Sequence, residues 1–317
     1  MLNPSLAPNP LFKIRPRRAF GDEVKRILLE QVDLALWELT APDLDMDAAV
    51  HETRKCCKRV RGILRLVRDD IGENSFTALN TLFRDAARLL STVRTSAVLS
   101  ETLTKLQQCY PDQFDDTQMA MLTQRLQRHH QKLQDAIAPQ ETLFSQVVGE
   151  LQAGRTQIEA LSLPQRTLSV SGLKRVYRRG RRGLRRSQME PTVLHLHEWR
   201  KRVKYLRYHM RILAPMWPEA LDCVTDELVV LSELLGLDHD LADLYRTFAE
   251  NPELCLREDG AEGMLRRIAA YRTELEAHCF IMGARLYYEK PTTFVQRMFG
   301  YWEIWQAEQD SPQHKGT

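Results

Sequence analysis

Glycine and proline are scarce in this chain, with 14 of each in 317 residues. That scarcity excludes an architecture of many short strands joined by tight turns, and no segment shows the alternation of a half-buried strand. A membrane-length apolar run is also missing. The longest apolar stretch, Leu228 to Leu237, is broken by Ser232 and Glu233 and is too short to cross a bilayer. The first residues, MLNPSLAPNPLFKIRPRRAF, carry proline and arginine where a secretory signal needs a continuous apolar segment. The six cysteines (Cys56, Cys57, Cys109, Cys223, Cys255 and Cys279) form no C-x-x-C pair. They read as reduced thiols of a soluble cytoplasmic protein that needs no disulfide staple.

What the chain has is helix formers and basic charge in particular places. Leu, Ala, Arg, Glu and Gln dominate, all compatible with helix interiors. The net charge is only +3, but its distribution is uneven. Windows 51–68 and 172–211 hold 21 of the 45 Lys and Arg and only three acids, Glu52, Glu190 and Glu198. They carry an excess of +18, against −15 for the remaining 259 residues. A basic site on an acidic body points to an anionic ligand.

An internal repeat organises these windows. HETRKCCKRVRGILR from position 51 and HEWRKRVKYLRYHMR from position 197 align without gaps at an offset of 146. They share His51/His197, Glu52/Glu198, Arg54/Arg200, Lys55/Lys201, Lys58/Lys204, Arg61/Arg207 and Arg65/Arg211. A weaker echo relates ARLLSTVRTSAVL at 87–99 to SELLGLDHDLADL at 232–244. At about 100° per residue, the shared basic side chains fall within roughly one third of a helix circumference. Cys57, Val60, Ile63, Leu64 and Val67 take the opposite side, as do Trp199, Val203, Leu206, Met210 and Leu213 in the second copy. Each copy therefore predicts a helix with an apolar stripe toward the core and a cationic stripe toward solvent.

The rest reads as further helices. Gly21 to Leu39 is amphipathic, and Ser75 to Thr104 is one long candidate with Asn74 as N-cap. Asp115 to Leu151 is interrupted near Pro139, while Pro218 to Ala249, Ala261 to Tyr288 and Pro291 to Gln306 complete the set before a frayed tail. The expectation is an all-α tandem of two four-helix-bundle-like halves, about 20–160 and 161–305, with approximate two-fold symmetry and a basic central groove. Residues 1–19 and 306–317 are extensions.

Like charges at i, i+3, i+4 and i+7 destabilise a bare helix by roughly 0.2–0.5 kcal/mol per pair, and a merely solvated face would intersperse glutamates. A row of charged donors suits phosphate oxygens instead, with Arg forking onto two oxygens and Lys acting as a point charge. GLKRVYRRGRRGLRR at 172–186 adds Lys174, Arg175, Arg178, Arg179, Arg181, Arg182, Arg185 and Arg186. Its apolar residues recur at helical spacing, so a packed helix is expected in place of a flexible arm. His51 and His197 open their helices on the basic face, where a polyanion would protonate them. No carboxylate or thiol stands at ligand spacing there, so neither metal nor cofactor is expected. His195 reads as a surface residue. Asp238, His239 and Asp240 read as structural groups that orient basic side chains, since Val93, Arg94 and Thr95 replace them in the first half.

The pattern H-x-x-R-K-x-x-K-x-x-R-Y at His197 to Tyr208 resembles the conserved histidine α-helical domain, the CHAD family. LLGLDHDLADL at 234–244, YRRGRRGL at 177–184 and PTTFVQRMFGYWEIW at 291–305 are similar to it as well. The resemblance runs from Phe20 to Trp305. It implies two bundle-like halves with a basic groove and binding of inorganic polyphosphate, often at polyphosphate granules. The chain departs from the family pattern at VRT 93–95 and at Cys56-Cys57. It also lacks the E-x-E-x-K motif of an accompanying triphosphate-tunnel domain, so a stand-alone, non-enzymatic binding module is expected.

Residues and resemblance together assign the ligand to His51, Arg54, Lys55, Lys58, Arg61 and Arg65 of the first copy. From the second half they add Tyr177, Arg178, Arg181, Arg182, Arg185, His197, Arg200, Lys201, Lys204, Arg207, Tyr208 and Arg211. Nucleic-acid binding and phosphate processing by an enzyme remain the alternatives, and no membrane partner is expected.

Overall fold

The structure is a computed structural model, and it describes residues 8–41, 45–90, 95–110, 116–134, 140–165, 168–255 and 258–310. Every regular element among them is helical, as expected from the absence of strand patterning. The helices are α1 (Phe20–Thr40), α2 (Met46–Leu66), α3 (Arg68–Leu89), α4 (Thr95–Cys109), α5 (Asp116–Gln134), α6 (Gln140–Glu159), α7 (Val170–Met189), α8 (Val193–Leu213), α9 (Pro218–Glu250), α10 (Glu258–Leu286) and α11 (Pro291–Asp310). All six cysteines are free thiols, and no described helix is long and apolar enough to cross a membrane.

The two repeats are α2 and α8, each begun by a side-chain cap. Asp45 accepts from the Asp47 amide at 3.0 Å and Thr192 accepts from the His195 amide at 3.2 Å. Proline opens α9 and α11, where a missing amide hydrogen costs nothing. The expected helix from Ser75 to Thr104 is instead two, α3 and α4. Within α3, Gly72 adopts φ 78°, a left-handed conformation that side-chain-bearing residues rarely tolerate, and it kinks the helix just before the expected start. Val93 and Arg94, Pro139 and the tail from residue 311 lie outside the described residues.

Contacts in the first half close a ring, α1 to α2 to α3 to α6 and back to α1. The second half closes the corresponding ring through α7, α8, α9 and α10, and α11 packs on α7. The hairpin α4–α5 leaves the first ring and packs on α9. Two cores result. The larger holds the buried faces of α2 and α8, including Val60, Ile63, Leu64, Trp199, Val203 and Leu206. Burying each such side chain contributes about 1.5–3 kcal/mol. The smaller joins Leu99, Leu103 and Leu122 to Leu244, Phe248 and Ile268.

Small residues set how the rings approach each other. At Gly172 an added Cβ would lie 1.9 Å from the Leu66 carbonyl oxygen, so only glycine lets α7 meet the end of α2. At Gly62 the ring of Tyr208 fills the place of a side chain, 2.6 Å from where a Cβ would stand. Beside it, the buried His209 donates from Nε2 to the Gly62 carbonyl at 2.9 Å. Burial holds the His209 pKa down, at about 4, so this bond is made by the neutral ring.

Candidate functional site

Gly62 and Tyr208 meet where α2 packs against α8. The predicted apolar faces are buried as expected: Cys57, Val60, Ile63, Leu64 and Val67 on one copy, and Trp199, Val203, Leu206, Met210 and Leu213 on the other. The cationic stripes, however, do not stand out into solvent. Arg54, Lys58, Arg61 and Arg65 are half-buried, as are Arg200, Lys204 and Arg207, and only Arg211 is exposed. The reason is tertiary. With α2 against α8 and α9 against α8, each stripe lies in the angle between packed helices.

Lys204 is the meeting point. It sits among Arg200 and Arg207 of its own helix and Lys58 of α2. Burial, and then repulsion from Arg200, Lys58 and Arg207, lowers its pKa to about 7, and Asp240 of α9 opposes this. Cations from both copies thus share one half-buried cluster.

The helix α9 shapes this cluster through Ser232, Gly236 and Asp240, spaced four apart on one face. Arg207 donates from Nη1 to the Ser232 hydroxyl at 2.9 Å and lies over the Tyr208 ring at 5.2 Å. Arg200 crosses α9 at Gly236, where a Cβ would stand 2.9 Å from its Nη2. Burial pushes the Arg200 pKa down, and Asp240 and Asp238 partly offset this. Asp238 is itself held by Arg272 at 2.8 Å. The expected orienting role of the acids of α9 therefore has a geometry: Asp240 faces Arg200, while Asp238 anchors to α10.

The histidines of the repeat differ. His51 is half-exposed beside Glu52 at 3.9 Å. The His197 ring packs against the His239 ring at 4.4 Å, and burial together with His239, Lys201 and Arg200 lowers its pKa to about 4. It is neutral at neutral pH in the free protein. His195 is buried, not on the surface, because its ring Nδ1 donates to the Glu190 carbonyl at 2.9 Å as part of the turn into α8.

Lys55 and Lys201 behave alike in the two copies. Lys55 pairs with Glu52 at 2.8 Å, and Lys201 pairs with Glu198. The shared glutamate of the repeat therefore engages the lysine one turn on. Arg202, which the repeat comparison passed over, joins Glu198 at 3.1 Å.

A second basic cluster forms where α2 and α8 meet α7. Arg65 lies 4.2 Å over the Tyr205 ring and donates to Asn80 of α3 at 2.8 Å, and Arg61 donates to the same oxygen at 3.2 Å. Burial and the charges of Arg61, Arg202 and Arg179 bring the Arg65 pKa down to about 10. From α7, Arg179 feels Arg202 and Arg68, while Arg175 pairs with Asp69. These two were counted in the basic run but not assigned. The assigned Arg178, Arg182 and Arg185 are exposed, and Arg181 lies near Tyr177 and is half-buried.

Tyr177 and Tyr208 are core residues, contrary to their placement with the ligand. The Tyr177 ring stacks on Phe294 at 4.0 Å, and its hydroxyl donates to the Leu286 and Glu289 carbonyls at 3.3 Å. Tyr208 is occupied by Gly62, Phe12 and Arg207. Among the described residues, no group of three His, Cys, Asp or Glu side chains is placed to hold a metal ion.

Comparison with known proteins places these features in context. The family model described as the CHAD domain matches residues 27–249, which include both repeats, α7 and the Ser232–Asp240 face of α9. Among solved structures, the chain is similar to PptA from Streptomyces chartreusis at 13% sequence identity and a TM-score of 0.58. That likeness covers 86% of this chain and 100% of the other, and it speaks to the fold. No curated protein matches the chain.

Proposed function

The chain belongs to the CHAD domain family, and from that premise we propose that it binds inorganic polyphosphate without turning it over. The polymer lies in a basic groove between the two repeats, which approximate two-fold symmetry relates. Arg54, Lys58, Arg61, Arg200, Lys204 and Arg207 are its principal donors. One observation carries the reading: Lys204 is half-buried among Arg200, Arg207 and Lys58, so cations of both copies converge on one place. Such a cluster is unfavourable in the free protein, and a chain of phosphates supplies the missing counter-charge along its length.

The aromatic residues favour polyphosphate over nucleic acid. Single-strand binders stack bases on exposed rings between their cations. Here Tyr177, Tyr205 and Tyr208, the aromatics interleaved with the basic residues, are 1%, 7% and 5% exposed. A phosphate chain needs no stacking platform. Recruitment to polyphosphate granules follows from the same contacts.

Proton uptake tests the reading. A polyanion beside Lys204 raises its pKa from about 7, so the complex holds a proton that the free protein has partly released. Affinity is then full below pH 7 and falls as pH rises above it, by at most about tenfold per unit for one proton. Calorimetry near pH 8 in two buffers of different ionisation heat should show uptake of up to one proton per site. No uptake between pH 7 and 9 would contradict contact with Lys204.

A further inference from the structure

The turn at 214–217 between α8 and α9 meets one face of α11 around a cavity of about 460 Å³, a size suited to a small ligand. Tyr301, Ile304, Trp305 and Glu308 stand at i, i+3, i+4 and i+7, so a single face of α11 lines one side. From the turn, Trp217 meets the Tyr301 ring edge to face, with centroids 5.0 Å apart at 88°. Trp217 and Ile304 are both left exposed, although large apolar side chains are ordinarily covered. The charged side chains that line the cavity, Glu219 of α9 and Glu308 of α11, are acidic and exposed. Neither makes an ion pair among the described residues. The cations nearby are already engaged. Arg297 reaches the Tyr301 hydroxyl at 3.5 Å but is held by Glu289 at 2.6 Å, and Lys13 is held by Asp222 of α9 at 3.1 Å.

We propose that this cavity binds a linear polyamine, an alkyl chain carrying two or more ammonium groups. The rings of Trp217, Tyr301 and Trp305 attract ammonium groups and cover the methylene stem between them. Glu219 and Glu308, one from each helix, supply two separate counter-charges and accept charged hydrogen bonds. A proline-rich peptide also docks on aromatic grooves, but that mode calls for no carboxylates. The two unpaired acids therefore favour the polyamine. The site is separate from the basic cluster. Ser232, which receives Arg207 there, lies 13 residues beyond Glu219 on α9, roughly 20 Å at 1.5 Å per residue. Binding here is thus independent of the phosphate-binding reading, with a cation site at the start of α9 and the anion cluster at its middle.

The test is isothermal titration of the whole protein with spermine, without polyphosphate and at fixed ionic strength. One molecule should bind saturably, about tenfold or more tighter than tetramethylammonium, whose single charge engages one carboxylate at most. Glu308→Gln and Trp217→Ala should each weaken spermine about tenfold, and Trp217→Phe should keep most of the affinity. Glu303→Gln, at an exposed acid of α11 outside the cavity, should change nothing. Glu308 is exposed and unpaired, so its substitution leaves the fold intact even where Trp217→Ala does not. Absence of saturable binding, or equal losses from Glu303→Gln and Glu308→Gln, would overturn the proposal. Tighter binding of a proline-rich peptide than of spermine would also overturn it and assign the cavity to a peptide.

Discussion

Replacing Arg200 and Lys204 together by alanine should weaken polyphosphate binding about a hundredfold or more, and adding Arg54→Ala and Lys58→Ala should bring it close to background. Each charged hydrogen bond is worth roughly 1.5–3 kcal/mol, less where solvent screens it, and about 1.4 kcal/mol is tenfold in affinity. Two such contacts at a half-buried place therefore exceed a hundredfold before screening is counted. The fold should tolerate the change. Burial, and then repulsion from its neighbours, depresses the Lys204 pKa, so its loss relieves that repulsion, while the apolar faces of α2 and α8 are untouched. Unfolding midpoints in urea should confirm this. Suitable controls are Arg266 and Arg285, away from the repeats, with Arg266 paired to Glu262 on an exposed turn. Arg272 is unsuitable, because it is half-buried between Asp238 and Glu276. Equal losses from the control set would mean that overall charge alone drives binding.

Raising the salt concentration from 50 to 200 mM should lower affinity for a long polyphosphate roughly a thousandfold, as expected when about six phosphates are neutralised and their counterions released. The estimate follows from six principal donors on two helices in one cluster. The Arg200/Lys204 double variant should show a shallower log–log slope, by about two contacts. Isothermal titration at four salt concentrations measures both slopes. A slope unchanged by the double substitution would place those side chains outside the contact.

Much of this was legible in the sequence, and for physical reasons. The repeat could be read because polar identities at 3.6-residue spacing serve no purpose in packing, while the apolar residues opposite them define the buried face. Helix class followed from scarce glycine and proline, and Pro218 and Pro291 marked helix starts that the structure repeats. Burial of the stripe was not legible. It depends on how closely α2 approaches α8, which Gly62 allows at Tyr208, and on how α7 meets the end of α2, which Gly172 allows at Leu66. Charge patterning also could not tell Arg175, half-buried and paired with Asp69 of α3, from the exposed Arg178, Arg179 and Arg182 near it. Tyr177 and Tyr208, assigned to the ligand from the sequence, are buried, and their rings fill space between helices. His195 was missed because its burial comes from the turn at Glu190 and not from its own helix face. The partners of the basic residues, Ser232, Gly236 and Asn80, carry no signal of their own, since an isolated serine, glycine or asparagine in a helix is unremarkable until another helix brings an arginine to it.

The central claim is that cations of both repeats form one site matched to a chain of phosphates and to nothing that must be stacked. Competition measures this most directly: fluorescent long-chain polyphosphate held by the protein is displaced by unlabelled polyphosphate or by single-stranded RNA at equal phosphate concentration in one buffer. The account predicts that polyphosphate displaces the probe at a phosphate concentration at least tenfold lower than RNA does. Displacement by RNA at the same or a lower concentration would contradict it.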